Sequence, residues 1–452
     1  MTKIETHRAH VPWSWVTWMT GPWLVLYYID NVTGGGPLTF TIRKFVENPI
    51  AIGLLGSMSV AFTFTVGAAA SYMSDRVWTR WGRRRPFLMV GWLGVAVAMM
   101  LMPLAPNIGV LVGILILMQV SAAVAKPLEP LYNEVVPPCQ RGRAATIRNV
   151  AQQLMGLFFF GVLVAQFDSV HSFAAFGRAF EVRGETVLYW CGAVITLAGI
   201  LFLAFQVREI PPRVPVVRER LGMREFFRDV FGQRQWWMVY LLYITPMLAG
   251  TGGGGFGVLM TTEQLGFTKA EHGYAVSIGL VVAIAIFAPV AGYLTDKTSR
   301  MRLLRIGIVG PTVVELLYFF YLRYMADYSI PLSALIGFGL AANAFKTCVF
   351  LVWGALIFDY IPSNRFGTVS AGLTIFSGLT PFLMINLTGF WVTGFTKIFG
   401  SPGAGDYDYS SMYVLQVGCA ALALALTFWF QREERKGHVV PLGRLEAALQ
   451  NN

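Results

Sequence analysis

The long apolar runs of this chain hold few ionisable side chains, and those few are of types that bind protons or polar ligands. A charge placed in hydrocarbon costs about 3 kcal/mol on insertion scales, so each calls for a partner or a task. Lys126 and Glu129 stand three residues apart, which puts both on one helical face and lets them pair. Asn343 and Lys346 have the same spacing, and Lys346 lies too deep in its run to snorkel, so it is expected to meet Glu315 or a ligand oxygen. Glu129 and Glu315 could alternate between a protonated and a lysine-paired state, as a proton carrier must, with Lys126 and Lys346 as counter-charges. Aromatic faces and amides suit ring C–H surfaces and paired hydroxyls. Trp18, Trp23 and Tyr27 offer them on one run, and Asn149, Gln152 and Gln153 follow Arg148 on another. The plainer alternatives are a structural Lys126–Glu129 pair and interhelical hydrogen bonding by the three amides. Cys139, Cys191, Cys348 and Cys419 stand singly, so neither a metal centre nor a disulfide framework is expected. Without a nucleophile elbow or an aspartate-rich diphosphate motif, no catalytic residue and no cofactor are expected either.

These groups must be positioned by membrane-spanning helices. Of 452 residues 55% are hydrophobic and 13% charged, with mean hydropathy +0.58, which excludes an ordinary soluble protein. Apolar runs long enough to span predict an all-α membrane protein with twelve helices. They are helix 1 at 12–29, helix 2 at 50–72, helix 3 at 87–105, helix 4 at 109–132, helix 5 at 148–167 and helix 6 at 186–206. The second six are helix 7 at 235–256, helix 8 at 272–294, helix 9 at 303–322, helix 10 at 331–357, helix 11 at 368–394 and helix 12 at 411–430. Helix 1 runs straight into a glycine-rich turn with no cleavage site, so it is expected to be retained. The expected organisation is a first bundle at 1–207, a cytoplasmic linker at 208–234, a second bundle at 235–430 and a tail at 431–452.

The net charge of +11 does not call for a nucleic-acid partner, because the basic residues lie between apolar runs. With both termini inside, 26 Lys and Arg fall in inner segments and seven in outer loops, which orients the chain by the positive-inside rule and places it in the cytoplasmic membrane among lipid.

The halves repeat each other. Thr33-Gly34-Gly35-Gly36 returns as Thr251-Gly252-Gly253-Gly254, 218 residues on, and Asp75 returns as Asp296, 221 on. Glu134, Pro137 and Gly142 return as Asp359, Pro362 and Gly367, each 225 on. Ordered pairs at nearly one offset argue duplication, hence two pseudo-symmetric six-helix bundles able to rock about a central site.

Between helices 2 and 3 the chain reads Ser74-Asp75-Arg76-Val77-Trp78-Thr79-Arg80-Trp81-Gly82-Arg83-Arg84-Arg85-Pro86-Phe87. Lipid phosphates account for part of this charge. Asp75 and Gly82 suggest more: an ionic latch of Asp75, Arg76, Arg80, Gly82, Arg83, Arg84 and Arg85, with Glu134, Arg143 and the copies Asp296 and Asp359. This segment resembles the loop of the major facilitator superfamily, and its detailed form is similar to sucrose-transporter-like members of the glycoside-pentoside-hexuronide cation symporter group. Tyr27-Tyr28-Ile29-Asp30-Asn31-Val32 resembles the Tyr-Tyr-x-x-Asp-x-Val ending of helix 1 in that group's melibiose-type permeases, with one residue fewer.

The resemblance implies a major facilitator fold and alternating-access transport of a sugar or glycoside. It does not carry over the known sites. The paired sodium carboxylates of helix 2 fall near Thr63 and Gly67, the helix 1 Asp near Ser14 and the helix 4 Asp on Ala125, while a higher helix 4 Asp of plant sucrose transporters falls near Met118 or Gln119. A proton is therefore the expected coupling ion. The substrate, transport direction and oligomeric state stay open. An exporter or facilitator of a drug or amphiphile is the alternative, and a polytopic membrane enzyme a remoter one.

Overall fold

A computed structural model describes residues 4–5, 10–74, 77–137, 140–175, 178–210, 227–228, 230–250, 254–358, 360–361, 366–403 and 405–439. Ten helical stretches among them are long and apolar enough to cross a membrane unbroken. Helix 1 is split into Trp13–Trp18 and Thr20–Gly34, and helix 7 into Arg234–Gly250 and Gly254–Leu259, with Met260–Gln264 as a π-turn. These two complete the expected set. Thr251, Gly252 and Gly253 of the repeated glycine run lie outside the described residues.

Helix starts follow local chemistry. Asn48 accepts from Ile50 N at 2.9 Å ahead of Pro49, and Asn107 accepts from Val110 N at 3.0 Å ahead of Ile108. Helix 2 runs Pro49–Phe62 and Ala68–Ser74 around a π-turn at Thr63–Gly67, and helix 8 runs Lys269–Val282 and Ala288–Lys297 around one at Ala283–Phe287. Helix 3 is Arg85–Leu101, helix 5 Arg141–Phe158 with a π-turn at Phe159–Val164, and helix 6 Gly184–Gln206. Helix 9 is Arg300–Phe320, helix 10 Leu332–Phe358, helix 11 Phe366–Phe399 and helix 12 Met412–Arg435.

Helix 4 departs from the continuous segment expected. It ends at Val124 and restarts as Leu128–Val135, because Pro127 has no N–H to give and its ring opposes the preceding helical turn. Two short strand pairs are also present: Ile4–Glu5 beside Val207–Arg208, and a hairpin of Val170–Ala175 with Arg178–Arg183 between helices 5 and 6.

The chain forms two compact units, Met1–Val217 with Phe267–Leu280, and Arg218–Gly266 with Val281–Asn452. Each unit carries the same internal fastenings. In the first, Arg85 donates to Leu203 O at 3.0 Å and Ala204 O at 2.7 Å on helix 6. In the second, Arg305 donates to Thr427 O at 3.1 Å and Gln431 Oε1 at 2.8 Å on helix 12. Near the start of helix 6 the buried Glu185 accepts from Thr41 Oγ1 at 2.8 Å and from Lys44. Just before helix 12 the fully buried Asp408 accepts from Gln264 Nε2 at 2.9 Å, Ser410 Oγ at 2.6 Å and Arg323 at 3.0 Å. Thr41 to Gln264 and Glu185 to Asp408 are both 223 residues, so the repeat extends from residue types to contacts.

Candidate functional site

In the first unit, helix 1 turns Trp23 and Tyr27 toward Tyr132 on the second segment of helix 4 and Arg148 on helix 5. The rings of Trp23 and Tyr27 are 5.8 Å apart, and Tyr132 meets Trp23 edge-on at 5.7 Å. The Arg148 guanidinium lies 4.2 Å from the Trp23 ring centroid and 5.8 Å from that of Tyr132. Among the described residues no acceptor engages its N–H groups. Trp23 Nε1 is buried and also lacks a partner. Asn149 and Gln153 are half-buried and Gln152 exposed, one and two turns further along helix 5. Cation, indole N–H and amides therefore offer donors to a ligand bearing several oxygens, with aromatic faces beside them.

Asp30 was not among the site residues read from the sequence, because the apolar run stops at Ile29. The helix continues to Gly34 and carries Asp30 one turn beyond Tyr27. Protein encloses Asp30 on almost every side, yet its surface is exposed, so it lines an accessible recess rather than a sealed core. Lys126 is the cation within its electrostatic reach, while Asp30, Glu129, Tyr132 and Arg148 all act on the Tyr27 hydroxyl. Tyr132 and Asp30 are thus the two members of this cluster that sequence reasoning missed.

Two expectations are corrected here. Lys126 and Glu129 form no ion pair among the described residues: Pro127 breaks the helix between them, so three-residue spacing no longer puts them on one face. Trp18 does not join the aromatic cluster. It is exposed and stacks on Phe202 of helix 6 at 6.4 Å, on another side of helix 1 from Trp23.

In the second unit the structure brings Glu315 and Lys346 together, with Nζ donating to Oε1 at 2.7 Å. Glu315 is 8% exposed, and its Oε2 and the Tyr318 hydroxyl are buried without partners. Asn343 is half-buried one turn before Lys346. Gly307 and Gly310 let helix 9 lie against Phe345 and Val349 of helix 10, where any side chain would collide.

The arginine-rich loop is fastened within the first unit. Glu134 takes both Arg83 and Arg84, the latter at 3.0 Å. Glu209, which sequence reasoning also missed, accepts from the backbone N–H groups of Arg83 at 2.9 Å and Arg85 at 2.8 Å, capping helix 3. Gly82 explains its place in the motif: its φ is +105°, and a Cβ there would stand 2.7 Å from the Glu209 carboxyl carbon. Arg80 is exposed with its guanidinium 5.9 Å from the Trp81 ring. Asp75, Arg76 and Asp359 lie outside the described residues, as do the side chains of Arg143 and Asp296.

Apolar helices in two repeated units, each with charged and polar side chains inside its spans, define a multi-pass membrane protein of the transporter class. The chain belongs to the MFS/sugar transport protein family, whose profile matches residues 48–429. It is a transporter of a small-molecule substrate and not an enzyme. A comparison with curated proteins gave no match. Among solved structures, it is similar to a bacterial homolog of the human lysosomal transporter Spinster in an inward-facing, unoccupied conformation. That likeness has a TM-score of 0.67 and 16% identity over 93% of this chain and 98% of the other. A D-xylose-proton symporter is similar with a TM-score of 0.66 and 16% identity over 92% and 96% of the two chains. The fold is that of the major facilitator superfamily.

Proposed function

We propose that the protein is a secondary active transporter that moves a sugar or glycoside across the cytoplasmic membrane by alternating access, coupled to protons, with both termini in the cytoplasm. The observation that carries this reading is Arg148 lying on Trp23 with its donors unengaged, beside Tyr27, Tyr132, Asn149, Gln152 and Gln153. A stacked guanidinium presents its N–H edge to paired ligand oxygens, and flanking aromatic faces suit the C–H surface of a sugar ring. Asn343 and Lys346 are the corresponding polar groups of the second unit. The repeated bundles at 1–207 and 235–430 would be the rocking bodies, and the arginine loop with Asp75 the latch of the outward-open state. A proton suits the carboxyls inside the spans, whereas the helix 2 positions at Thr63 and Gly67 offer sodium no carboxylate ligand.

The test is uptake of a panel of labelled mono- and disaccharides by proteoliposomes, with and without an imposed inward proton gradient. Accumulation of one sugar above the external level only with the gradient is expected. Sugar-independent behaviour across the panel, with a drug or amphiphile moved instead, overturns the reading.

A further inference from the structure

Each unit has a lysine on its fourth helix facing a carboxylate from another helix, but the two pairs are built differently. In the second unit the pair is closed: Lys346 touches Glu315 directly, Glu315 is buried, and glycines press helices 9 and 10 together around it. Separating two such charges would leave a carboxylate without water or a partner, so this pair is costly to open. In the first unit the pair is open: Asp30 and Lys126 each keep exposed surface, and Asp30 nevertheless sits deep in protein.

The supports of Lys126 are irregular on both sides. Its own backbone lies in the turn between the two segments of helix 4, bonded to Ala123 O at 3.1 Å outside the regular helix. Its side chain rests on Gly67, the last residue of the helix 2 π-turn, where an added Cβ would stand 3.0 Å from Lys126 Cγ. A break and a π-turn can change local geometry at less cost than a regular helix, so the lysine can approach or leave Asp30 as the spans rearrange.

We infer that Asp30 carries the coupling proton, that Lys126 is its removable counter-charge, and that Glu315–Lys346 is a fixed pair holding helices 9 and 10. This rests on the proton-coupled reading above. With Lys126 near, the carboxylate is held ionised; with Lys126 withdrawn, it takes a proton from water on one side of the membrane and returns it to water on the other when the lysine comes back. The other groups facing this carboxyl are Tyr27 on its own helix, Glu129 and Tyr132 on helix 4, and Arg148 on helix 5.

Two measurements on the full-length protein test this. In proteoliposomes, Asp30→Asn should lower the ratio of gradient-driven accumulation to counterflow at least tenfold, and Asp30→Glu should restore much of it. Glu315→Gln should lower yield and both rates together, leaving that ratio near the wild-type value. In detergent, with no sugar present, infrared titration of the protonated-carboxyl band should show one component missing in Asp30→Asn and displaced to higher pH in Lys126→Met. An unchanged ratio and an unchanged titration in Asp30→Asn would overturn the inference. A wild-type protein that moves no sugar, with the Asp30 titration intact, would instead sink the sugar reading and keep the proton site.

Discussion

Arg148 gains its usefulness from what it lacks, since a guanidinium with no protein acceptor keeps its whole fork for a ligand. Arg148→Lys retains the charge but loses both the planar stack on Trp23 and the paired donors, so KM should rise about tenfold or more while the protein still folds. A transport assay against sugar concentration reads this directly; an unchanged KM would remove Arg148 from the site. Gly82 offers a second test at the same scale. Gly82→Ala meets both a left-handed backbone and the Glu209 carboxyl, so it should destabilise by about 1–3 kcal/mol, seen as a lower Tm of the purified protein. The sequence displayed these residues unevenly. Trp23, Tyr27, Glu315 and Lys346 declare themselves by type and position in apolar runs. Asp30 is hidden by the charge that ends its run, and Glu209 by lying 125 or more residues from the amides it caps.

Among the helices, the break in helix 4 matters most, because it separates Lys126 from Glu129 and aims them independently. Pro127→Ala lets the turn continue as helix, which should raise thermal stability slightly while slowing transport several-fold, as Lys126 swings off its seat on Gly67. Wild-type turnover in that variant would show that the break is incidental. Helices 9 and 10 allow a cleaner experiment: Lys346→Met and Glu315→Gln should each cost more stability than the two together, because either alone strands a buried partner. Additive losses would mean that the charges act separately. The proline was visible in the sequence, but a single proline within a strongly apolar run does not say whether a span kinks or stops. The 170–183 hairpin was missed for another reason: its register is set by pairing of two strands across a turn, and no apolar run announces it.

Over the whole chain, duplication is the organising fact, and it is legible at two depths. Residue identity exposes it at Thr33-Gly34-Gly35-Gly36 and at Asp75. Contacts expose it where identity has drifted, as when Thr41 and Glu185 in one unit correspond to Gln264 and Asp408 in the other. Each buried acid anchors its own unit, so Glu185→Gln and Asp408→Asn should lower the unfolding temperature separately and add in the double variant. Asp408→Asn should cost more, about 3–5 kcal/mol, because Arg323 then loses a fully buried partner.

The π-turns of helices 2 and 8 add a date to this history. A π-turn records one residue inserted into an α-helix, and here it appears at Thr63–Gly67 and again at Ala283–Phe287, with 220 residues between matching ends. Two independent insertions at matching places in sister halves are far less economical than one. The irregular turn was then already present in the ancestral six-helix gene before it was copied, which makes the helix defect older than the twelve-helix protein that now contains it twice.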